Sequence, residues 1–338
     1  SVSRLETFYG CPYAHYFNYI LSLRRRKEGK FEGTENGTIL HYVLEHFFKG
    51  VRGGKNDHNT DLTALAYSYF DGAIKENGFE VLLEKADTGR LLLRVRDEGA
   101  KLITDLYQVQ KRSVFRPYLL EAKIGEGEIQ PMSLDLGDKK VRLKGTIDRV
   151  DVLGDKFIII DYKTYKSADL SLKELYCGQK IQLYVYMRAV EKSTGGKPSG
   201  VFYFPIFSSF TDEEGTRYKY KGQASDSTET LMQIDSMVDV DAKRAIVPCK
   251  KDKKGALATG GVHLSTSQFD LLGDYAVDIA TKGASEIANG YIKPSPIVKE
   301  KCKRCDFASI CAYKERFERK APKVKGIESF EKEGEENE

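Results

Sequence analysis

Two β-rich runs joined by Gly154-Asp155 constrain the fold of this chain more than any other part of its sequence. They lie between Val141 and Thr164, in the segment VRLKGTIDRVDVLGDKFIIIDYKT. A Gly-X pair between such runs is typical of the tight turn of an antiparallel hairpin. Because a two-residue loop sets the register of the strands, we predict that Leu153 faces Lys156.

The same register brings acidic residues together. Counting back from the turn pairs Asp148 with Asp161, and alternation along the strand places Lys163 on their side. The two Cβ atoms would be roughly 5 Å apart, and like charges at that separation destabilise a strand pair. A divalent cation with oxygen ligands would neutralise them, and two carboxylates beside a lysine suit metal-assisted hydrolysis of a phosphodiester. A solvated hairpin face with scattered charges is the alternative that these residues leave open.

Size and composition limit the class of protein. The 338 residues can bury one or two cores, and charged residues make up 31% of them. No apolar run approaches the ~20 residues of a membrane span, and no signal peptide is recognisable. The net charge of +4 allows nucleic-acid binding without arguing for it. Since the chain does not begin with Met, we expect it to be part of a longer soluble polypeptide.

Helix and strand patterns predict one α/β core with a helical insertion. Apolar spacing predicts helices over residues 38–49, 59–78, 84–112, 172–193 and 265–289, strands at 119–123, 129–136 and 201–207 besides the hairpin, and a loop over 242–261. Ser3 and Glu6 form an S-x-x-E pattern, which predicts a helix start near the N-terminus. The segment from Glu328 is acidic, and we predict that it is disordered.

Four of the six cysteines have a spacing that indicates a metal centre. Cys302, Cys305 and Cys311 form C-x2-C-x5-C near the C-terminus, and Cys11 lies close to the other end. Four thiolates can bind zinc or an iron–sulfur cluster, and a site shared in this way would join the two ends of a domain. Ordinary thiols with chance spacing are the alternative.

Further polar residues gain meaning only if they lie near the hairpin. Gln182 and Tyr186 are one helical turn apart and share a face, although polar residues at the edge of a core are the simpler interpretation. His41 lies among apolar residues of a predicted helix, where a buried histidine is more common than a ligand. Glu121 lies on a predicted strand as an ordinary charge. P-loop, G-x-S-x-G and H-E-x-x-H patterns are absent from the sequence.

In their order along the chain, these motifs resemble the RecB-like, iron–sulfur branch of the PD-(D/E)XK nuclease superfamily, and within it the C-terminal nuclease domains of the AddB proteins of bacterial AddAB helicase–nucleases. The matching pieces are His41 in GTILH, Asp148 in GTIDRVD, Asp161-Tyr162-Lys163 in IIDYKT, Gln182 and Tyr186 as Q-x-x-x-Y, and SVSRLETFYGCPYAHYF with the distal cysteines. They cover the chain from Ser3 to about Phe317. One departure is Ile160, which replaces the nominal proline.

The resemblance implies a restriction-endonuclease-like α/β fold, in which helices flank a mixed central sheet. It places a helical insertion over about 38–112, a catalytic core over about 117–210, and a cysteine-bound metal staple that joins the termini. Residues 1–320 would then form one nuclease domain, and 321–338 would remain a disordered acidic tail.

The resemblance also implies roles for individual residues. Those that would bind Mg²⁺ or Mn²⁺ are Asp148, Asp161, the Tyr162 carbonyl and His41, with Glu121 beside them. Lys163 would orient the attacking water or stabilise developing charge, and Gln182 and Tyr186 would hold the DNA strand. The ligands of a [4Fe–4S] cluster, with zinc as the alternative metal, would be Cys11, Cys302, Cys305 and Cys311.

The function implied is that of a metal-dependent DNA exonuclease in the bacterial cytoplasm. It would hydrolyse single-stranded DNA delivered by a helicase partner during double-strand break processing. A non-catalytic, iron–sulfur-stapled domain for DNA binding or subunit docking is the alternative, although it would not need Asp148, Asp161 and Lys163 together. The small iron–sulfur exonucleases of CRISPR adaptation share the core, but the helical region from 59 to 112 disfavours them. We expect no membrane contact and no nucleotide site in this segment.

Overall fold

A six-stranded mixed sheet forms the centre of the protein. The structure is a computed structural model that describes residues 1–24, 33–54, 60–164, 169–206, 218–249, 262–297, 299–311 and 322–331. Its strands are β1 (Arg116–Lys123), β2 (Ser133–Asp135), β3 (Lys140–Arg142), β4 (Thr146–Leu153), β5 (Lys156–Lys163), β6 (Lys197–Pro205), β7 (Lys221–Ser225) and β8 (His263–Leu264). The large sheet has the order β1-β4-β5-β6-β7-β8, and β2 and β3 form a separate two-stranded sheet.

Helices precede, interrupt and follow the sheet. They are α1 (Val2–Gly10), α2 (Pro12–His15), α3 (Gly33–Arg52), α4 (Leu62–Glu76), α5 (Glu80–Glu84), α6 (Ala86–Arg112), α7 (Leu172–Tyr176), α8 (Gln182–Thr194), α9 (Thr228–Ile234), α10 (Met237–Val240), α11 (Thr266–Ala288) and α12 (Glu328–Glu331). A π-helical turn covers Tyr16–Ile20, and a 3₁₀ segment covers Lys299–Arg304. Within the described ranges, none of the helices combines the length and the apolarity needed to cross a membrane.

Strand β5 lies inside the sheet and is the best protected strand near the predicted site. It pairs antiparallel with β4 and parallel with β6, and every residue from Phe157 to Tyr162 is buried. A nearly continuous apolar run, KFIIIDYK, is typical of a strand that is covered on both faces. Asp161 therefore lies in a buried strand, where an unpaired charge is costly.

The predicted register of the β4–β5 hairpin is confirmed. Leu153 pairs with Lys156 across the turn, and Gly154 has the positive φ (60°) that a tight turn requires of it. The ladder of paired residues ends one level before Asp148 and Asp161, which therefore lie next to each other where regular pairing stops.

The segment before this hairpin does not continue it. We predicted one β-rich run from Val141 onward, but β3 leaves the sheet and pairs with β2 instead. A change of direction over residues 143–145 separates β3 from β4, and it includes Gly145, whose backbone lies against the Tyr186 hydroxyl. A Cβ at this position would lie only 2.5 Å from that oxygen, so the close approach requires glycine.

Helical layers cover both faces of the sheet, and alternate side chains of β5 pack against one layer or the other. Ile158 and Ile160 join the apolar cluster formed with α3, α4 and α6. Ile159 joins the cluster on the other side, to which α8 and α11 contribute. The predicted arrangement of a mixed sheet between helices is thus confirmed, and the helices predicted at 38–49, 59–78, 84–112 and 265–289 correspond to α3, α4, α6 and α11.

The single helix predicted over residues 172–193 is wrong, because the chain breaks between α7 and α8. Gly178 in the break has a φ of 71°, and a Cβ there would lie 2.4 Å from the Tyr9 ring. The aromatic ring of α1 thus occupies the space that a continuous helix with a larger side chain would need. As a consequence, α8 begins at Gln182, the first residue of the Q-x-x-x-Y pattern.

The predicted disorder of the acidic tail does not hold for α12. Phe330 is only 3% exposed, and its ring centroid lies 5.4 Å from that of Tyr176 and 4.8 Å from that of Tyr275. Phe330 belongs to the apolar cluster that includes α8 and α11, and Val324 and Ile327 pack against the same cluster. Residues 332–338, and residues 250–261 of the predicted loop, lie outside the part of the chain that the structure describes.

Candidate active site

Three carboxylates stand at one level of the sheet on three neighbouring strands. The register of β1 and β4 places Glu121 level with Asp148, and the register of β4 and β5 places Asp148 level with Asp161. Glu121 has a φ of 47°, in the left-handed region that residues other than glycine rarely adopt. Backbone strain and adjacent like charges both reduce stability, and their coincidence is typical of a functional site.

Helix α3 adds an imidazole to this acidic row. His41 Nδ1 lies 3.3 Å from Glu121 Oε1 and 3.7 Å from Asp148 Oδ2. One ligand atom from each of these three residues lies within 4.8 Å of the others. Imidazole nitrogen and carboxylate oxygen suit a divalent cation such as Mn²⁺ or Mg²⁺, so this donor set fits the predicted metal.

The pKa shifts of His41 and Asp148 also favour a cation at this site. Burial would lower the pKa of His41, but the hydrogen bond to Glu121 and the charge of Asp148 outweigh it and raise the pKa to about 9. Burial also raises the pKa of Asp148 well above its usual range, and the neighbouring Asp161 raises it further. Both shifts reflect excess negative charge in a buried place. A cation there would favour ionised Asp148 and neutral His41, because metal ligands must be deprotonated.

Asp161 is held by groups on both of its oxygens. Lys163 Nζ forms an ion pair with Oδ2, and Gln182 Nε2 donates to Oδ1 at 3.0 Å. The side-chain Nε2 of Gln182 also lies 3.2 Å from the Tyr186 hydroxyl. The structure therefore places Asp161 and Lys163 against the face of α8 that carries Gln182 and Tyr186. Asp161 is not one of the three residues whose ligand atoms meet within 4.8 Å, and its role as a metal ligand stays a prediction.

An open cleft gives access to the site. Its volume is about 640 Å³, and His41, Glu121, Tyr162 and Lys163 are among the residues that line it. The Tyr162 amide donates to Asp148 Oδ2 at 2.7 Å, which holds this carboxylate where the β-ladder ends. The role of the Tyr162 carbonyl as a metal ligand stays a prediction. Tyr186 is only 3% exposed, and its contact with DNA also stays a prediction.

Glu6 belongs to this region although sequence reasoning gave it another role. We predicted that Ser3 and Glu6 form a capping box, but α1 already begins at Val2. Glu6 Oε1 instead accepts a hydrogen bond from the backbone amide of Gln182 at 2.9 Å. Burial raises the pKa of Glu6 to about 7. The contact spans 176 residues, and no local pattern in the sequence signals it.

The four clustered cysteines lie around a second cavity of about 830 Å³. Cys11 contributes from the α1–α2 junction, and the other three come from the C-terminal segment. The same segments also meet where Ile297 N donates to Gly10 O at 3.3 Å and where the Phe17 and Phe307 rings lie 5.0 Å apart. Among the described residues, no three of these sulfurs lie within 4.8 Å of one another. Tetrahedral zinc with Zn–S bonds of about 2.3 Å would hold sulfurs about 3.8 Å apart.

Comparison with known proteins agrees with this geometry. The chain matches the sequence model of the PD-(D/E)XK nuclease superfamily over residues 1–312. It is similar to the B subunit of the ATP-dependent helicase/deoxyribonuclease of Alkaliphilus oremlandii, with 30% identity over 373 aligned positions that cover 100% of this chain and 32% of the relative. The protein of the same name from Clostridium tetani is 29% identical over 344 positions, which cover 93% of this chain and 30% of the relative.

The chain spans about a third of the length of these relatives. The family match, in contrast, extends through the N-terminal helix, the acidic row of the sheet and the C-terminal cysteines. The chain belongs to the PD-(D/E)XK nuclease superfamily.

Proposed function

We propose that this chain is a divalent-metal-dependent exonuclease domain that hydrolyses the phosphodiester bonds of single-stranded DNA. The observation that carries the proposal is the meeting of His41, Glu121 and Asp148 within 4.8 Å, beside the Asp161–Lys163 ion pair. Buried like charges at a cleft are costly unless a cation or a reaction requires them. The donor set suits Mg²⁺ or Mn²⁺.

The residues of the chain divide the work between metal binding and substrate positioning. A divalent ion bound at the donor set would polarise the scissile phosphate and lower the pKa of the attacking water. Lys163 adds a fixed positive charge at the cleft wall, where it stabilises negative charge that develops on the phosphate. Gln182 keeps Asp161 in place through Oδ1, and with Tyr186 it borders the path of the DNA strand.

The substrate and the partner are inferred from the relatives. These proteins are named as components of an ATP-dependent helicase/deoxyribonuclease, and their names support DNA as the polymer that is cleaved. A helicase would deliver a single-stranded end to the cleft, and the setting would be the processing of double-strand breaks in the bacterial cytoplasm. The net charge of +4 is modest, so we assign specificity to the cleft rather than to a strongly basic surface.

We assign a [4Fe–4S] cluster to the second cavity, with Cys11, Cys302, Cys305 and Cys311 as its ligands. The assignment is supported by the four cysteines lining one cavity and by the C-x2-C-x5-C spacing of three of them. A cluster here would join α1 to the C-terminal segment. Its role is structural, because hydrolysis requires no redox step.

One assay tests the catalytic proposal. The anaerobically purified protein is mixed with single-stranded DNA labelled at either end, with Mg²⁺, with Mn²⁺ or with excess chelator. We expect cleavage from an end that requires the added metal. DNA binding without cleavage under all these conditions would instead support the alternative, a non-catalytic domain for DNA binding or subunit docking.

A further inference from the structure

Glu6 occupies a place that the proposed chemistry does not explain. Its Oε1 accepts a hydrogen bond from the backbone amide of Gln182, the first residue of α8. The preceding residue, Ile181, gives α8 no side-chain cap. The first amides of a helix lack partners within the helix, and a carboxylate near them is favourable. Glu6 thus caps α8 from a different helix.

The residue capped in this way is the one that contacts the central carboxylate. The side-chain amide of Gln182 donates to Asp161 Oδ1 at 3.0 Å and lies 3.2 Å from the Tyr186 hydroxyl. The backbone of Gln182 is therefore tied to Glu6 while its side chain is tied to Asp161. A hydrogen bond at the backbone limits where the side chain can reach, because the Cα position sets the origin of every rotamer.

Helix α1 holds the start of α8 at a second point. Tyr9, one turn after Glu6, packs its ring against Gly178 in the α7–α8 break, and its hydroxyl donates to Ile279 O at 2.6 Å. Glu6 and Cys11 also line the same cavity. The helix that leads to the cysteine cavity is thus the helix that fixes the beginning of α8.

We propose that Glu6 is a positioning residue: by holding the backbone of Gln182, it sets the side-chain amide of Gln182 against Asp161. The proposal rests on the nuclease function proposed above. Glu6 is not among the residues that line the cleft, and its hydrogen bond at the site is to the backbone of Gln182. The charges of Asp161 and Lys163 also act on Glu6 through space. We assign its effect on cleavage to the hydrogen bond with Gln182. Its removal should therefore slow cleavage more than it weakens DNA binding.

The experiment compares Glu6→Ala and Glu6→Gln with the unchanged chain in metal-dependent cleavage of single-stranded DNA. We expect Glu6→Ala to lower kcat about tenfold, the scale of one hydrogen bond, with a smaller change in KM. Glu6→Gln keeps an acceptor oxygen and should stay within about twofold of the unchanged chain. The matched control is Glu191→Ala, which removes an acidic contact to Arg188 at the far end of α8. This control should leave kcat unchanged.

A second background separates positioning from general destabilisation. A Gln182→Ala protein lacks the side-chain amide that Glu6 positions, so adding Glu6→Ala should cause no further loss of kcat. If the two changes instead multiply, Glu6 does not act through Gln182 and the proposal is wrong. Equal kcat for Glu6→Ala and the unchanged chain would also overturn it.

A readout without metal or DNA keeps the proposal testable if the chain proves inactive. Hydrogen exchange of the Gln182 backbone amide should be faster in Glu6→Ala than in Glu6→Gln, because only the alanine variant lacks an acceptor at residue 6. An unchanged chain that does not cleave DNA would refute the proposed function. Unaltered exchange at Gln182 would refute the cap itself, whatever the outcome of the cleavage assay.

Discussion

His41 on α3 and Glu121 on β1 are 80 residues apart in the chain, yet His41 Nδ1 lies 3.3 Å from Glu121 Oε1. The carboxylate and the nearby Asp148 raise the pKa of the histidine to about 9 against the effect of burial. At neutral pH, His41 is therefore protonated in the protein without metal. Because a metal must displace this proton, the site couples cation binding to proton release.

We accordingly predict that affinity for Mn²⁺ rises with pH up to about 9, by at most tenfold per pH unit for one proton released. Isothermal titration calorimetry in buffers of different ionisation enthalpy measures the proton count directly. A His41→Asn variant should release fewer protons, and any remainder would come from Asp148, whose pKa is also raised. Affinity that is independent of pH in the unchanged chain would contradict the prediction.

The strained backbone at Glu121 yields a prediction about stability. Its φ of 47° costs an L-residue about 1–2 kcal/mol, and glycine escapes this cost. We expect Glu121→Gly to be more stable than Glu121→Ala by about 1 kcal/mol in urea unfolding. At an ordinary strand position the order would be reversed, since glycine weakens strands. That reversed order here would show that Glu121 is not strained.

The ion pair between Asp161 and Lys163 should be essential for cleavage. Loss of one group that stabilises the transition state typically costs about 10²–10³ in rate, so we expect at least this loss for Asp161→Ala and for Lys163→Ala. Folding and DNA binding should be largely retained. The control is Asp155→Asn, in the turn of the same hairpin, where the carboxylate pairs with Lys197 in solvent. Near-normal cleavage by the Asp161 variant would remove the active site from this hairpin.

How far the sequence could predict this site depends on the range of the contacts. The position of Asp148 level with Asp161 followed from a two-residue turn, because register is a local property of a hairpin. The contact of Glu6 with Gln182 could not be predicted, since it joins helices 176 residues apart and uses a backbone amide. The break before α8 was missed for the same reason. It depends on the Tyr9 ring, which lies far away in sequence.

Glu6 should also make stability depend on pH. Burial raises its pKa from about 4.5 to about 7, so between these values the folded protein binds more protons than the unfolded chain. The stability that protonated Glu6 contributes is complete below about pH 4.5 and is lost as the pH rises through about 7. Glu6→Gln cannot titrate. Its unfolding free energy minus that of the unchanged chain should therefore increase over this range, by at most about 3 kcal/mol. Urea unfolding at a series of pH values tests this, and parallel curves would contradict it.

The cysteine cavity allows a prediction that separates its metal from its structural role. Cys11 lines the cavity, whereas Cys177 is buried elsewhere, in the α7–α8 break. Because metal binding contributes directly to folding, Cys11→Ser should lower the thermal stability of anaerobically prepared protein far more than Cys177→Ser does. Cys177→Ser is the matched control, since it makes the same chemical change at a buried thiol outside the cavity.

Metal analysis of the same samples identifies the occupant. About four iron atoms per chain, with broad visible absorbance that oxidant removes, would support a [4Fe–4S] cluster. About one zinc per chain would keep the link between the termini but refute the cluster. Equal stability of the two serine variants would refute the link itself. In that case Phe17, Phe307 and the Gly10–Ile297 hydrogen bond would hold the termini together without a metal.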